Sequence, residues 1–343
     1  MGLQIKEVVN AKEIALNELS GKVIAIDAYN MLYQFYSIIR QPDGTPLKDS
    51  KGNVTSHLSG LFNRTANLLQ KKIKPVFVFD GEPHELKKKE LERRAEIKKQ
   101  AQKNYEKARE EKDIEAMKKY ATRTSKLTKE MVEEAKKLVQ LMGLPVVQAP
   151  SEGEAQAAYM VKKGDAYAVA SQDFDSLLFG SPLLLRNISI SGKRKRANSP
   201  AYHAIKPEQI SLSELLNGLG IDHDKLIVFG MLIGTDFNVG GIKGIGPSKA
   251  LKMVKQFNDY EELFNEVKWE EFFPFGWYEV YKGLKSIPTT DEYQLDWEAP
   301  DNNGILKLLC EEHEFAEDRI KSQLEKLEKS IGSRRQKGLG DFF

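Results

Sequence analysis

The sequence predicts an α/β protein with a mixed, largely parallel central sheet flanked by helices, and three observations carry that prediction. Three short apolar runs, Lys22–Ile26, Pro75–Phe79 and Ala166–Ala170, have the length and composition of strands. Helix-length segments separate them, Leu58–Leu69 among them, as crossovers between parallel strands require. Each run ends at or shortly before acidic residues: Asp27, Asp80, and the pair Asp173 and Asp175. Ligands bind outside the carboxyl ends of the strands in an open α/β sheet, so these acids would line one crevice.

The segment Ala149–Gly180 concentrates this pattern. It carries Glu152 and Glu154 in PSEGEA and Asp173 and Asp175 in SQDFDS, separated by a helical apolar run (Ala155–Val161), a turn (Lys162–Gly164) and a strand. Each pair has a purely structural explanation. Ser151 and Glu154 fit a capping box, and Asp173 could cap a helix beginning near Ser176. A cap accounts for one acid at a strand end and poorly for several converging there. Asp236, in GTDFN after the helical run Leu226–Ile233, adds a seventh. Seven neighbouring carboxylates raise one another's pKa unless cations neutralise them. Oxygen donors without histidine favour Mg²⁺ or Mn²⁺ over Zn²⁺. Two such ions about 4 Å apart activate a water and stabilise the leaving oxygen of a phosphodiester. The expected chemistry is metal-assisted phosphodiester hydrolysis.

Taken in order, the 343 residues suffice for about two domains, or for one large core with an appendage. Met1–Gln4 leads into a segment expected to be a polar helix rather than a signal peptide, and no run reaches the ~18 apolar residues of a membrane span. A soluble intracellular protein is expected. The single cysteine, Cys310, excludes an internal disulfide framework, and the five histidines show no zinc-site spacing. A charged fraction of 30% matches the tendency of thermophilic proteins.

The net charge of +2 says little, but residues 84–130 hold sixteen Lys and Arg against ten Asp and Glu. This stretch reads either as a plain surface helical hairpin or as a basic arch over a nucleic-acid backbone. After Asp236, the run Gly240–Pro247 precedes the helical SKALKMVKQF, with Lys243, Lys249 and Lys252 nearby. Such a turn lets backbone approach a phosphate, although a tight interhelical turn needs no ligand. Leu183–Tyr202 reads as a basic loop, and Trp269, Phe272, Phe273, Phe275 and Trp277 read as core aromatics. The Gly-rich basic tail ends in two phenylalanines and is expected to be disordered alone.

Together IAIDAYNMLYQF, TSHLSGLFNRT, KPVFVFDGEP, APSEGEAQAAYM, ASQDFDSLLFG and GTDFNVGGIKGIGPSKA resemble a flap endonuclease of the structure-specific 5′ nuclease superfamily, in its archaeal form, over almost the whole chain. The resemblance implies a PIN-like 5′ nuclease fold with a helical arch and a helix-two-turn-helix element. It implies one nuclease domain (1–330): an N-terminal part (1–83), the arch (84–130), an internal part (131–260, with the helix-two-turn-helix at 226–257) and a C-terminal part (261–330). A flexible tail (331–343) follows.

It implies two Mg²⁺ ions, replaceable by Mn²⁺, held by Asp27, Asp80, Glu152, Glu154, Asp173, Asp175 and Asp236. Lys87 and Arg94 would contact the scissile phosphate, and Tyr33 would stack on a base beside it. Gly2, Arg40, Thr55, Gly240, Gly241, Lys243, Gly244, Gly246 and Lys249 are the implied DNA contacts, with a K⁺ ion at the helix-two-turn-helix. Ile38–His57 resembles a hydrophobic wedge and part of a pocket for a one-nucleotide 3′ flap. Gln336, Leu339, Phe342 and Phe343 resemble a peptide that binds the sliding clamp (PCNA).

The implied activity is cleavage of 5′ flaps, with 5′–3′ exonuclease activity, in Okazaki fragment maturation and base excision repair. The implied protein is monomeric and cytoplasmic in an archaeal cell, at the nucleoid, or nuclear in a eukaryote. A 5′ exonuclease or junction resolvase is an alternative, opposed by the short arch and the tail. A non-catalytic DNA-binding scaffold on the clamp is another, opposed by seven intact acids.

Overall fold

The computed structural model describes residues 3, 5–111, 113, 115–116, 120, 127–189, 192–195 and 202–337. Within that span the side chains of 89–90, 94, 192–195, 202–204 and 331–337 are not described. The strands are β1 (Lys12–Glu13), β2 (Val23–Asp27), β3 (Lys74–Phe79), β4 (Val146–Gln148), β5 (Ala168–Ala170), β6 (Leu183–Arg186), β7 (Gly192–Lys195), β8 (Tyr202–Ile205) and β9 (Glu208–Ser211). A seven-stranded sheet has the order β1-β9-β6-β5-β2-β3-β4. Its five strands from β6 to β4 run parallel, and β9 joins β6 antiparallel, so the sheet is mixed as the sequence predicts.

The helices are α1 (Ala28–Ile38), α2 (Ser56–Gln70), α3 (Glu85–Glu110), α4 (Lys129–Leu141), α5 (Gly153–Lys163), α6 (Asp175–Leu178), α7 (Leu212–Leu219), α8 (His223–Ile233), α9 (Pro247–Gln256), α10 (Tyr260–Glu266), α11 (Trp277–Lys285), α12 (Asn302–Leu306) and α13 (Glu317–Lys337). None of the described helices is long and apolar enough to cross a membrane.

Both faces of the sheet are covered, and the two-residue period of the strands decides which side chain goes where. Ala25, Val76, Val78, Val169 and Leu184 face one core, with residues of α5 and α8. Ile24, Ile26, Phe77, Phe79, Ala168 and Leu185 face the other, with α1, α2 and α4. Burial on both faces explains why these strands read as unbroken apolar runs instead of alternating ones. Trp269 belongs to the first core at 2% exposure, its Nε1 donating to the carbonyl of Phe275 (2.7 Å), whereas Phe272 is 39% exposed.

Three expectations are corrected. The segment after Gln4 is not a helix: Leu3 and Ile5 are buried, and the chain runs on through a turn to β1, paired with β9. Its apolar residues are claimed by the core before a helix can form. Leu183–Tyr202 is not a single loop: β6 joins the main sheet, while β7 and β8 pair antiparallel as a separate ribbon. The predicted tail is partly helical, since α13 runs to Lys337. Leu339, Phe342 and Phe343 lie outside the described residues, as does Gly2, and the side chain of Gln336 is not described.

The α1–α2 contact that backs the sheet depends on Gly60. A Cβ there would lie 2.3 Å from Phe35 Cγ, inside a ring that is itself 2% exposed. Replacing a helical glycine with alanine gains about 0.5–1 kcal/mol of backbone stability, but overpacking a core costs about 1–3 kcal/mol. Gly60→Ala is therefore expected to lower the melting temperature, and an unchanged or raised value would refute this close approach.

Candidate metal centre and nucleic-acid interface

The carboxylates meet because three adjacent parallel strands end beside one another. Asp27 is the last residue of β2, directly after Ile26, which pairs with Ala170 of β5, and opposite Val78 of β3. Asp27 also caps α1, accepting the Asn30 N–H at 3.0 Å. The other caps do not form. Glu152 occupies the N-cap position of α5 without a side-chain cap, and Phe174, not Asp173, precedes α6. Those acids are left free for other partners.

Asp80 follows β3, and its Oδ1 accepts the Gly153 N–H at 2.7 Å, which ties the strand end to α5. Gly81 permits the close approach, since a Cβ there would lie 2.2 Å from the Ala149 carbonyl oxygen. Asp175 opens α6 and accepts the Leu3 N–H at 2.7 Å, bringing the chain's N-terminal segment beside the site. Asp236 is carried by the turn after α8. Asn238, 1% exposed, staples that turn by accepting from Thr235 Oγ1 (2.7 Å) and donating to the Met231 carbonyl (2.7 Å).

Electrostatic contacts link all seven acids in one chain. Burial, then the charge of Asp80, pushes Asp27 up to about 8. Burial and the charge of Glu152 raise Asp80 to about 6, and burial with Asp236 and Asp173 raises Asp175 to about 7. Glu154 is held well above the ordinary carboxylate range by burial, then by Asp175, Asp27 and Asp173, and its sealed Oε1 has no hydrogen-bond partner. Opposing this charge is Lys87 of α3, whose Nζ lies 2.5 Å from Glu152 and 3.8 Å from Asp236. Burial works against its proton, but Glu152 and Asp236 outweigh burial and hold it above its usual value.

These residues fit hard divalent cations. The donors are all oxygens, their mutual repulsion is relieved by positive charge, and Glu154 offers a buried oxygen that nothing else uses. No three of the acids converge closely enough to make a finished cage among the described residues; they line a crevice. Part of it is a cavity of about 150 Å³ lined by Asp80, Gly81, Pro83, Lys87, Leu91, Ser151, Glu152 and Asp236.

Three residues were missed in the sequence. Asn30 donates its Nδ2–H to Asp173 (2.9 Å) and accepts the Gln172 N–H (3.2 Å), while Ser171 joins Asp27 to the Asp173 backbone. Arg186 donates to the Gln172 carbonyl (3.1 Å) and stacks over Phe174 at 4.3 Å. Only Asn30, three residues beyond Asp27 on one helix face, left a local signal.

Around the crevice, Tyr33 is 39% exposed on α1, with Lys98 Nζ of α3 at 5.2 Å from its ring. The side chain of Arg94 lies outside what the structure describes. Arg40 is held by the carbonyls of Ser37 (2.9 Å) and Gly44 (2.8 Å), and Thr55 is only 6% exposed. Between α8 and α9, Gly240, Lys243, Gly244 and Gly246 are exposed, as is Lys249 in the first turn of α9. Gly241 is buried, with the φ of +58° and Cβ position (2.4 Å from the Ile233 carbonyl carbon) that only glycine accepts, so it shapes the turn from within.

Residues 2–101 match the XPG N-terminal domain and residues 143–236 the XPG I-region. The chain is 53% identical to flap endonuclease 1 of Pyrococcus abyssi over all of its length and 98% of the relative's. It is 52% identical to that of Pyrococcus furiosus, with 100% and 99% covered. The solved structure of flap endonuclease-1 from Methanococcus jannaschii, 41% identical, superposes with a TM-score of 0.76 over 97% of this chain and 100% of that one.

The raised carboxylates give a pH test. With cations chelated, the folded state retains a proton on Asp27 that the unfolded chain releases near 3.8, so this site lowers stability progressively as pH rises from about 4 to about 8. Asp27→Asn keeps the helix cap and cannot ionise. In chelator the variant is expected to melt several degrees above the parent at pH 8 and without that advantage at pH 4, by calorimetry. A pH-independent difference would contradict the charge crowding.

Proposed function

Because this chain belongs to the flap endonuclease family, we propose that its carboxylate crevice cuts DNA at the base of a 5′ flap with two Mg²⁺ ions as cofactor. The chain is a hydrolase of phosphodiesters, a structure-specific 5′ flap endonuclease of a metal-dependent nuclease family. The observation that carries the finer reading is the meeting of seven acids from three strand ends, α5 and the α8 turn along one crevice, part of which is a cavity where Lys87 faces Asp80, Glu152 and Asp236.

Asp27, Asp80, Glu152, Glu154, Asp173, Asp175 and Asp236 would hold the cations. Bound there, these would supply Lewis acidity and a water ionised near neutral pH. Lys87 presents its ammonium to the scissile phosphate, where charge builds in the transition state. Arg94 lies seven residues further along α3, which returns it to the same helix face, and adds a second positive charge. Tyr33 stacks on the adjoining base and fixes the reacting phosphate relative to the acids. The exposed Gly240, Lys243, Gly244 and Gly246 between α8 and α9, with Lys249 of α9, would grip the duplex backbone and hold a K⁺ ion, and Arg40 and Thr55 help seat the junction. Gln336, Leu339, Phe342 and Phe343 engage the sliding clamp, while the nuclease itself is monomeric. Cleavage of a double-flap DNA with and without Mg²⁺, with the cut position mapped, tests the whole reading: Mg²⁺-independent cutting, or cuts away from the junction, would overturn it.

Asp80→Ala or Asp175→Ala should lower the single-turnover rate by more than about a hundredfold while DNA binding survives, since even outer-sphere partners of a metal cost about 10–100-fold. Near-normal rates in either variant would sink the two-cation reading. Deleting residues 336–343 should leave the isolated enzyme's rate unchanged and abolish clamp binding, each apolar anchor contributing about 1.5–3 kcal/mol when buried. Calorimetry against the clamp checks this, and retained affinity would place the contact elsewhere.

A further inference from the structure

A second cluster of ionisable side chains lies away from the crevice, and the proposed chemistry does not use it. His57, near the start of α2, is completely buried, and its Nε2 lies 3.4 Å from Oε2 of Glu134 on α4. His313 in the turn before α13, 7% exposed, places Nε2 at 3.5 Å from Oε1 of the same Glu134 and Nδ1 at 3.6 Å from Asp49 Oδ2. Both nitrogens of His57 and Nδ1 of His313 are sealed from solvent without a hydrogen bond. Buried ring nitrogens rarely go unpaired, so the arrangement needs an explanation.

The segment these groups enclose is the loop 47–54, closed by the Lys48–Val54 bridge. Asp49 is one grip on it. The other is Glu314, held at a φ of +59°, whose carboxylate accepts the Ser50 N–H at 2.7 Å and also the Ser50 hydroxyl. The remaining charged neighbours are Lys51 on the loop, and Lys137 of α4, which pairs with Glu312 at 3.3 Å. A neutral imidazole has one N–H and must turn its other nitrogen, a lone pair, towards a carboxylate or towards nothing. An imidazolium at His313 would donate to Glu134 and Asp49 together. Burial opposes a proton on His57, with Glu134 favouring one and the charge of His313 opposing it.

We propose that His57, Glu134, His313 and Asp49 form a proton-operated clasp that positions the loop 47–54 against the turn at 313–314, and that protonation tightens the enzyme's hold on DNA at that loop. This rests on the reading that the Arg40–Thr55 segment faces DNA.

The test uses the full chain with Mg²⁺ and double-flap DNA between pH 5.5 and 8.5. In the parent, KM should rise about three- to tenfold as the clasp loses its proton. In His313→Gln the KM should be high and nearly flat, and in His313→Lys, which keeps a cation between Asp49 and Glu134, low and nearly flat. The saturating single-turnover rate should follow the same pH course in all three. Amide exchange across 47–54, taken relative to the intrinsic rate of each amide at the same pH, should slow at low pH in the parent only. Parallel KM profiles in all three proteins would overturn the proposal. Which half failed is then visible. Exchange that still tracks pH would mean that the clasp operates on a loop that does not face DNA. Exchange indifferent to pH would mean that there is no clasp.

Discussion

The constraint on which this structure depends is the repulsion among seven carboxylates in one crevice. Bringing Asp27, Glu154 and Asp175 out of water beside one another costs enough to push Asp27 up to about 8 and Asp175 to about 7. The fold supplies N–H donors from Asn30, Gly153 and Leu3, one ammonium from Lys87, and a doubly covered sheet stiff enough to hold the strand ends in place. A site that is destabilising by itself and relieved by cations is well suited to a metal-dependent nuclease, because binding energy then favours the state that reacts.

The supporting contacts share a style. Asn30, Ser171 and Arg186 hold the 171–175 turn by hydrogen bonds and stacking, and Asn238 holds the turn of Asp236. Each is a polar or charged side chain spent on backbone or on a carboxylate, not on substrate. The acids therefore sit on short turns whose freedom has been removed from behind, which is what a catalytic geometry requires. The long helix α3 contrasts with them: it enters the crevice at Lys87 and then carries mostly exposed charged residues, with Leu91 and Ile97 exposed as well.

The chain's peripheral segments obey the same competition between burial and local propensity. Leu3 and Ile5 are drawn into the core and deny the N-terminus a helix, while the aromatics around Trp269 pack inward and leave Phe272 and Tyr278 at the surface. At α13 the outcome is reversed. Ile320, Leu324 and Leu327 anchor the helix, and it continues past Leu327 as far as Lys337.

By itself the sequence determined the apolar strands, their crossovers, the acids at their ends and the glycine turn after Asp236, because each is written in residues adjacent along the chain. The resemblance of its motifs then identified the family. Tertiary structure alone decided which acids also cap helices, since Asp27 does and Asp173 does not, although both lie at or just past the end of a strand. It alone decided that β9 and β1 extend the sheet antiparallel, that β7 and β8 leave it, and that Asn30 and Arg186 brace the 171–175 turn. The clasp of His57 with Glu134 and His313 lay equally beyond the sequence, its members being scattered over more than 250 positions. Such contacts depend on where separate elements come to rest against one another, and periodicity records only which face of an element is buried, not what it meets.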